Sequence, residues 1–123
     1  MSSTIQLNPN DQNIKELPHN LEAEQALLGA ILLNNDILYD INEIIDASHF
    51  FENIHIKIFE VINKITAKGQ LATPITLKSY FEVEKNLEDI GGSGYLARLA
   101  NAAVSLQYAK NYAQIIYDLA VRR

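Results

Sequence analysis

The sequence predicts an all-α domain of about six helices, a compact helical bundle with a C-terminal helical hairpin. Three observations predict it. Apolar residues recur at helical spacing over long runs; Ile54, Ile58, Val61, Ile62 and Ile65 fall at i, i+4, i+7, i+8 and i+11. No two-residue alternation of strand length holds up, because the local alternation over 54–58 sits inside that longer period. Apolar residues make up 48% of the 123 residues, enough for one core and too few for two ordinary ones.

Residues 1–16 are rich in Ser, Asn, Asp and Gln, so burial cannot offset their ordering entropy. They read as a disordered tail ahead of a domain spanning 17–123. Leu17-Pro18 punctuates the boundary. The first helix starts near Asn20, a suitable N-cap, with Glu22 and Glu24 complementing the helix dipole. From Ala26 to about Asn34 it is apolar all round, as a central helix is. Asn34-Asn35-Asp36 stops it, and Asp36 caps a second helix over about 37–45, with Ile37, Leu38, Ile41, Ile44 and Ile45 at helical spacing. Asp46-Ala47-Ser48 is a turn in which Ser48 caps a short helical turn through His49, Phe50 and Phe51. The third helix covers about 53–68; Phe59 broadens its apolar stripe and Gly69 is placed to end it as a C′ residue.

Thr73 or Pro74 opens a fourth helix that runs to about Lys85, with Ile75, Leu77, Tyr80, Phe81 and Val83 as its apolar content. Residues 86–94 form a loop given backbone freedom by Gly91, Gly92 and Gly94. The fifth helix covers about 95–103, with Tyr95, Leu96, Leu99, Ala102 and Ala103 on one side. The sixth runs to the chain's end, either capped by Ser105 or restarting slightly later. One stripe on it, Ala109, Tyr112, Ala113, Ile116, Leu119 and Ala120, suffices to dock it on a core. A second stripe, Tyr108, Ile115 and Leu119, is flanked by Leu106 and Arg122. This surplus apolar face points to a partner, with simple deep burial as the competing explanation. The candidate interface on this last segment is Leu106, Tyr108, Tyr112, Ile115, Ile116 and Leu119.

Composition and motifs narrow the function. The net charge is −5 and the ten basic residues are scattered, which argues against direct DNA binding by this segment. Without cysteine there are no disulfides or thiolate metal sites, and a reducing cytoplasm is the simplest compartment. The longest apolar run, Ala26 to Leu33, has eight residues against the roughly 20 a membrane span needs, so no membrane association is expected. No G-x-x-x-x-G-K-[ST] phosphate loop occurs, and Gly91-Gly92-Ser93-Gly94 lacks the strand and lysine such a loop uses. His19, His49 and His55 have no metal-ligand spacing, and His55 reads as a structural or surface imidazole. The pairs Glu22/Glu24 and Glu88/Asp89 read as dipole-facing or solvent-facing charges. Neither catalytic machinery nor a cofactor or metal site is expected in this chain.

A family resemblance rests on motifs in order along the chain. Pro18 with Glu22-Ala23-Glu24-Gln25 and Leu28-Gly29 resembles the opening P-x-x-x-E-A-E-Q-x-x-L-G run of DnaB-type replicative helicases. His49-Phe50-Phe51 and His55 with Ile58-Phe59 are similar to the family's D-F-Y and H-x-x-I-F, and Thr76-Leu77 to its T-L. Leu87-Glu88, Ile90-Gly91-Gly92 and Tyr95-Leu96 match L-E-x-I-G-G-x-x-Y-L, and Tyr112-Ala113 with Ile115 and Arg122-Arg123 matches the closing Y-A-x-I … R-R. The chain departs from the family at His49 and Thr73, where Asp is common; both read as local capping choices.

The resemblance implies an amino-terminal domain that pairs through a terminal helical hairpin, here the last two helices. Full-length members assemble as hexamers, and the domain helps receive a DnaG-type primase. The resemblance also places ATP and Mg2+ in a RecA-like ATPase domain that, with its linker helix, lies outside this chain. The ending on Arg122-Arg123, with no terminating Gly or Pro, reads as a cut inside a longer protein. By implying that hairpin, the resemblance adds Tyr95 and Leu99 to the candidate interface, with Tyr95 the best single residue for primase coupling, or a ring packing the hairpin. The alternative is a stand-alone helical protein-binding or DNA-binding module.

Overall fold

A computed structural model describes residues 19–84, 93–102 and 106–123. The expected tail over 1–16, Leu17-Pro18, the loop residues 86–92 with Glu88 and Asp89, Lys85, Ala103 and Ser105 lie outside the described residues. Among those described there are six α-helices and no strand: α1 Leu21–Leu33, α2 Leu38–Asn42, α3 Asn53–Ala67, α4 Pro74–Glu84, α5 Ser93–Ala102 and α6 Ala109–Arg122. Short 3-10 turns cover Asn35–Ile37, Ala47–His49 and Leu106–Tyr108.

α1 is the axis. Nine of its thirteen residues are buried, in keeping with an apolar surface that has no polar side to show solvent. Asn20 caps it by accepting the Ala23 N–H at 3.0 Å. α5 and α6 both lie mainly against α1, and α3 packs on it as well. The hairpin expected of the last two helices therefore takes the form of two helices laid on a shared central one. Leu27, Leu28 and Ile31 of α1 are fully buried with Ile58, Phe59 and Ile62 of α3 and Leu96 and Leu99 of α5. Removing a core side chain of this size typically costs about 2–5 kcal/mol.

The predicted caps fare differently. Asn34, not Asp36, caps the turn after α1 by accepting the Asp36 N–H. Asn35 has a larger task than ending a helix. Its amide donates to the Ile31 and Ala72 carbonyls, and its Oδ1 accepts the Ala72 N–H at 2.7 Å, tying the end of α1 to the strand-less link before α4. The predicted second helix is a 3-10 turn followed by the five-residue α2, which ends by Asn42 rather than near Ile45. Asp46, not Ser48, caps the Ala47–His49 turn; Ser48 instead donates to the Asp46 carboxylate. That hydrogen bond, the first of several causes, holds the Asp46 carboxyl below its ordinary 3.8. His49 completes a capping box, its Nδ1 accepting the Asp46 N–H at 2.9 Å, so an imidazole does the work of an acidic or amide side chain there.

Gly69 ends α3 at φ +80°, where a glycine avoids the left-handed penalty. Gln70 N–H reaches back to the Ile65 carbonyl and Gly69 N–H to that of Thr66, which is a Schellman arrangement. Thr73 caps α4 from outside Pro74: its Oγ1 accepts the Thr76 N–H, and Thr76 Oγ1 accepts the Thr73 N–H at 2.8 Å. α5 begins at Ser93, two residues ahead of the predicted start.

Candidate docking surface and the polar network behind it

The first turn of α1 points two carboxylates in opposite directions. Glu22 is exposed, as a dipole-facing charge should be. Glu24 is 2% exposed, so the reading of it as a solvent-facing or merely dipole-facing charge is corrected. A buried carboxylate requires donors, and it has them. Phe51 N–H reaches its Oε2 at 2.7 Å, Glu52 N–H its Oε1 at 3.4 Å, and His55 Nδ1 its Oε1 at 2.8 Å. His55 is itself fully buried, which removes the surface alternative for that imidazole.

The network continues into α5. His55 Nε2 meets the Tyr95 hydroxyl at 2.6 Å, and Gln25 Nε2 donates to the same hydroxyl at 3.2 Å. One proton assignment satisfies every member. Gln25 donates to the Tyr95 oxygen, the Tyr95 O–H donates to His55 Nε2, and Nδ1–H of His55 donates to Glu24. Burial pushes the Tyr95 phenol above its ordinary 10.0, against the opposing pull of the Gln25 hydrogen bond, so the O–H donor persists through neutral pH. Glu24, His55 and Tyr95 thus join α1, α3 and α5 by side chains far apart in sequence. Among the described residues no group of three or more acidic or histidine side chains is placed to hold a metal ion.

The Glu24 end of this network reaches the last helix. Phe51, whose N–H binds Glu24, stacks on His19 with centroids 4.0 Å apart and carries the Arg123 guanidinium 5.4 Å above its ring. Arg123 Nη2 donates to the His49 carbonyl at 2.7 Å, and Tyr117 sets an edge against the His49 ring at 5.1 Å. The end of α6 is thereby fixed to the turn that supplies Glu24 with its backbone donors.

The eight predicted interface residues separate into three groups on this scaffold. Leu99 and Ile116 are buried in the domain's own core, so they hold α5 and α6 in place and are not available on the surface. Tyr95 and Tyr112 are half-buried and packed against that core, and Leu119 is half-buried as well. Tyr95 turns its hydroxyl inward to His55 while Arg98 stands 5.5 Å over its ring. Leu106, Tyr108 and Ile115 are exposed, at 39%, 46% and 39%. Hollows flank Ile115 and Leu106. One of about 380 Å³ brings Ile115 and Tyr112 together with Ala23 and Ala26 of α1 and Ala102 of α5. Another of about 280 Å³ sets Leu106 and Ala109 against Ile37 and Ile41. Sequence periodicity found both stripes of α6, and burial of Ala109, Ala113 and Ile116 confirms which one faces the core.

Sequence reasoning missed Glu24 and His55 as partners. A signal existed: Glu24 lies one helical turn before Leu28 on the face that leads into the apolar run of α1, and His55 precedes Ile58 and Phe59 by three and four residues, on the apolar stripe of α3. No described helix is long and apolar enough to cross a membrane.

Comparison with known proteins agrees with the fold. Residues 16–118 match the family model described as the DnaB-like helicase N terminal domain. The chain is 48% identical over 107 residues to the replicative DNA helicase DnaB of Rickettsia felis, covering 87% of this chain and 22% of that protein. It is 37% identical over 106 residues to the replicative DNA helicase DnaB of Treponema pallidum, covering 86% of this chain and 24% of that one. The crystal structure of the N-terminal domain of DnaB helicase from Mycobacterium tuberculosis superposes with a TM-score of 0.81 at 28% identity, over 86% of this chain and 77% of that one.

Proposed function

The chain belongs to the DnaB-like helicase N-terminal domain family, and from that premise we propose that it is a non-catalytic docking and self-association domain of a bacterial replicative helicase. It spans less than a quarter of the Rickettsia felis and Treponema pallidum proteins it resembles. In this reading ATP, Mg2+ and DNA unwinding belong to the remaining three quarters, and the whole protein works as a hexamer in the cytoplasm. The observation that carries the proposal is that Tyr108 and Ile115, and Leu106 on the turn before α6, stay exposed although α6 already buries another row against α1. Its occupants are a second copy of the domain and, in the assembled helicase, a DnaG-type primase. The net charge of −5 favours protein partners over DNA.

Light scattering across a concentration series, with and without primase, tests this on the chain and on its Tyr108→Asp and Ile115→Asp variants. The expected result is a mass that rises with concentration for the parent and less or not at all for the variants, whose helical circular dichroism matches the parent's. Unchanged self-association and primase binding in both folded variants defeat the assignment.

A further inference from the structure

A second surface lies away from α6. The last turns of α3 and the first turns of α4 enclose an open groove of about 640 Å³, within the range of ligand and peptide sites. Ile65 forms part of its floor, Tyr80 and Ile75 its α4 wall, and Lys68 its α3 rim, with Thr76 and Ser79 as polar edges. Ile75 is 77% exposed and Leu71, in the link leading to it, 68% exposed. Neither is needed by the core, which α4 reaches through Leu77 and Phe81.

The charge around this groove opposes that of the whole domain. The chain carries −5, yet among the described residues no carboxylate lines the groove. Lys68 lines it, Lys64 stands 5.8 Å over the Tyr80 ring, and Lys78 follows Ile75 by three residues along α4. Glu82, the next exposed acid on α4, is three residues beyond Ser79 and outside the lining. Lysines at the end of α3 also sit where a helix dipole favours cations, so their charge is held at the groove mouth. An apolar trough rimmed by ammonium groups selects apolar side chains flanked by carboxylates.

We propose that this groove docks a short apolar segment bearing carboxylates, supplied by a partner protein other than a second copy of this chain. Apolar side chains fill the space between Ile65, Ile75 and Tyr80, and the carboxylates pair with Lys64 and Lys68. This surface is separate from the α6 row and stands or falls independently of it.

The test is a displayed library of random peptides 12–16 residues long, selected against the chain, with enriched peptides then titrated by fluorescence anisotropy. Expected are sequences combining Leu, Ile, Phe or Met with an excess of Asp and Glu. Their affinity falls about tenfold with Ile75→Asp, as for loss of a central apolar contact. It falls with Lys68→Glu and with added salt, and is untouched by Ile115→Asp on α6. All three substituted side chains are exposed, and matching thermal melts establish that the variants fold. Enriched peptides without acidic excess, equal binding to Ile75→Asp, or no enrichment at all overturn the proposal. So does loss of self-association in Ile75→Asp, which makes the occupant a second copy.

Discussion

Inside α1 a carboxylate sits almost wholly out of water; on α6 an isoleucine stands two-fifths in it. Each placement is costly by itself. Glu24 is tolerated because two backbone N–H groups and an imidazole converge on it within the domain. Ile115 has no such internal answer, and it borders a hollow lined by Tyr112, Ala23 and Ala26 with Asn20, Glu22 and Gln25 at its polar side. A buried polar group with all its partners in the same chain makes architecture. An exposed apolar group beside open concave surface makes a site for something else.

Substitutions along the two regions sharpen or break this contrast. Ile116→Asp has the largest expected effect: it buries an unpaired charge next to Ala113, costs more than about 4 kcal/mol, and leaves little cooperative unfolding in urea. Its neighbour Ile115 takes the same change with stability shifted by no more than about 0.5 kcal/mol, because its side chain is at the surface. Similar melting of the two variants erases the distinction between the two rows of α6.

Glu24→Ala comes next, at about 3–5 kcal/mol by urea denaturation, since it strands His55 and the Phe51 and Glu52 N–H groups without an acceptor. A loss under about 1 kcal/mol means that water replaces the carboxylate, and the network is then not structural.

Tyr95→Phe removes one hydroxyl and keeps the ring. The expected loss is about 1–2 kcal/mol, from the unpaired His55 Nε2 and Gln25 amide. Because the folded phenol pKa is raised, the stabilisation linked to it is complete below the ordinary 10.0 and is lost as pH rises through the folded value. The phenylalanine variant therefore unfolds less steeply with alkali than the parent. Tyr95→Phe also separates two roles: primase binding that survives it assigns the hydroxyl to the fold, whereas binding lost with stability intact assigns it to the partner.

Asp46→Ala is the smallest of the polar substitutions. Loss of its cap on an exposed 3-10 turn costs about 0.5–1 kcal/mol, reduced by solvent screening. Its lowered pKa makes that stabilisation present above the ordinary 3.8 and lost as pH falls through the folded value. Parent and variant therefore converge in stability in acid, which thermal melts at descending pH check.

Much of this was legible along the chain. α1 and α3 showed themselves because helical burial leaves a period in the sequence, and the Asn20 cap and Gly69 stop followed from local backbone chemistry. The two stripes of α6 were visible for the same reason. The polar network was not, because periodicity reports that a face is buried but not what meets it there. Glu24 and His55 are 31 residues apart, and His55 and Tyr95 are 40 apart. Asn35 posed the same problem: its residue type announces the end of a helix, while its three bonds to Ile31 and Ala72 exist only once the link before α4 has folded back.

By itself, then, the sequence determined the all-α class, the central helix, most helix ends and the presence of an apolar surplus on α6. These depend on interactions between residues within a few positions of one another. Tertiary structure alone decided that Glu24 is an internal anchor, that Leu99 of the candidate interface is closed into the core while Leu106, Tyr108 and Ile115 stay exposed, and that lysines gather around the Ile75 groove. Those outcomes depend on which distant surfaces come together, and solvation is settled only when they do.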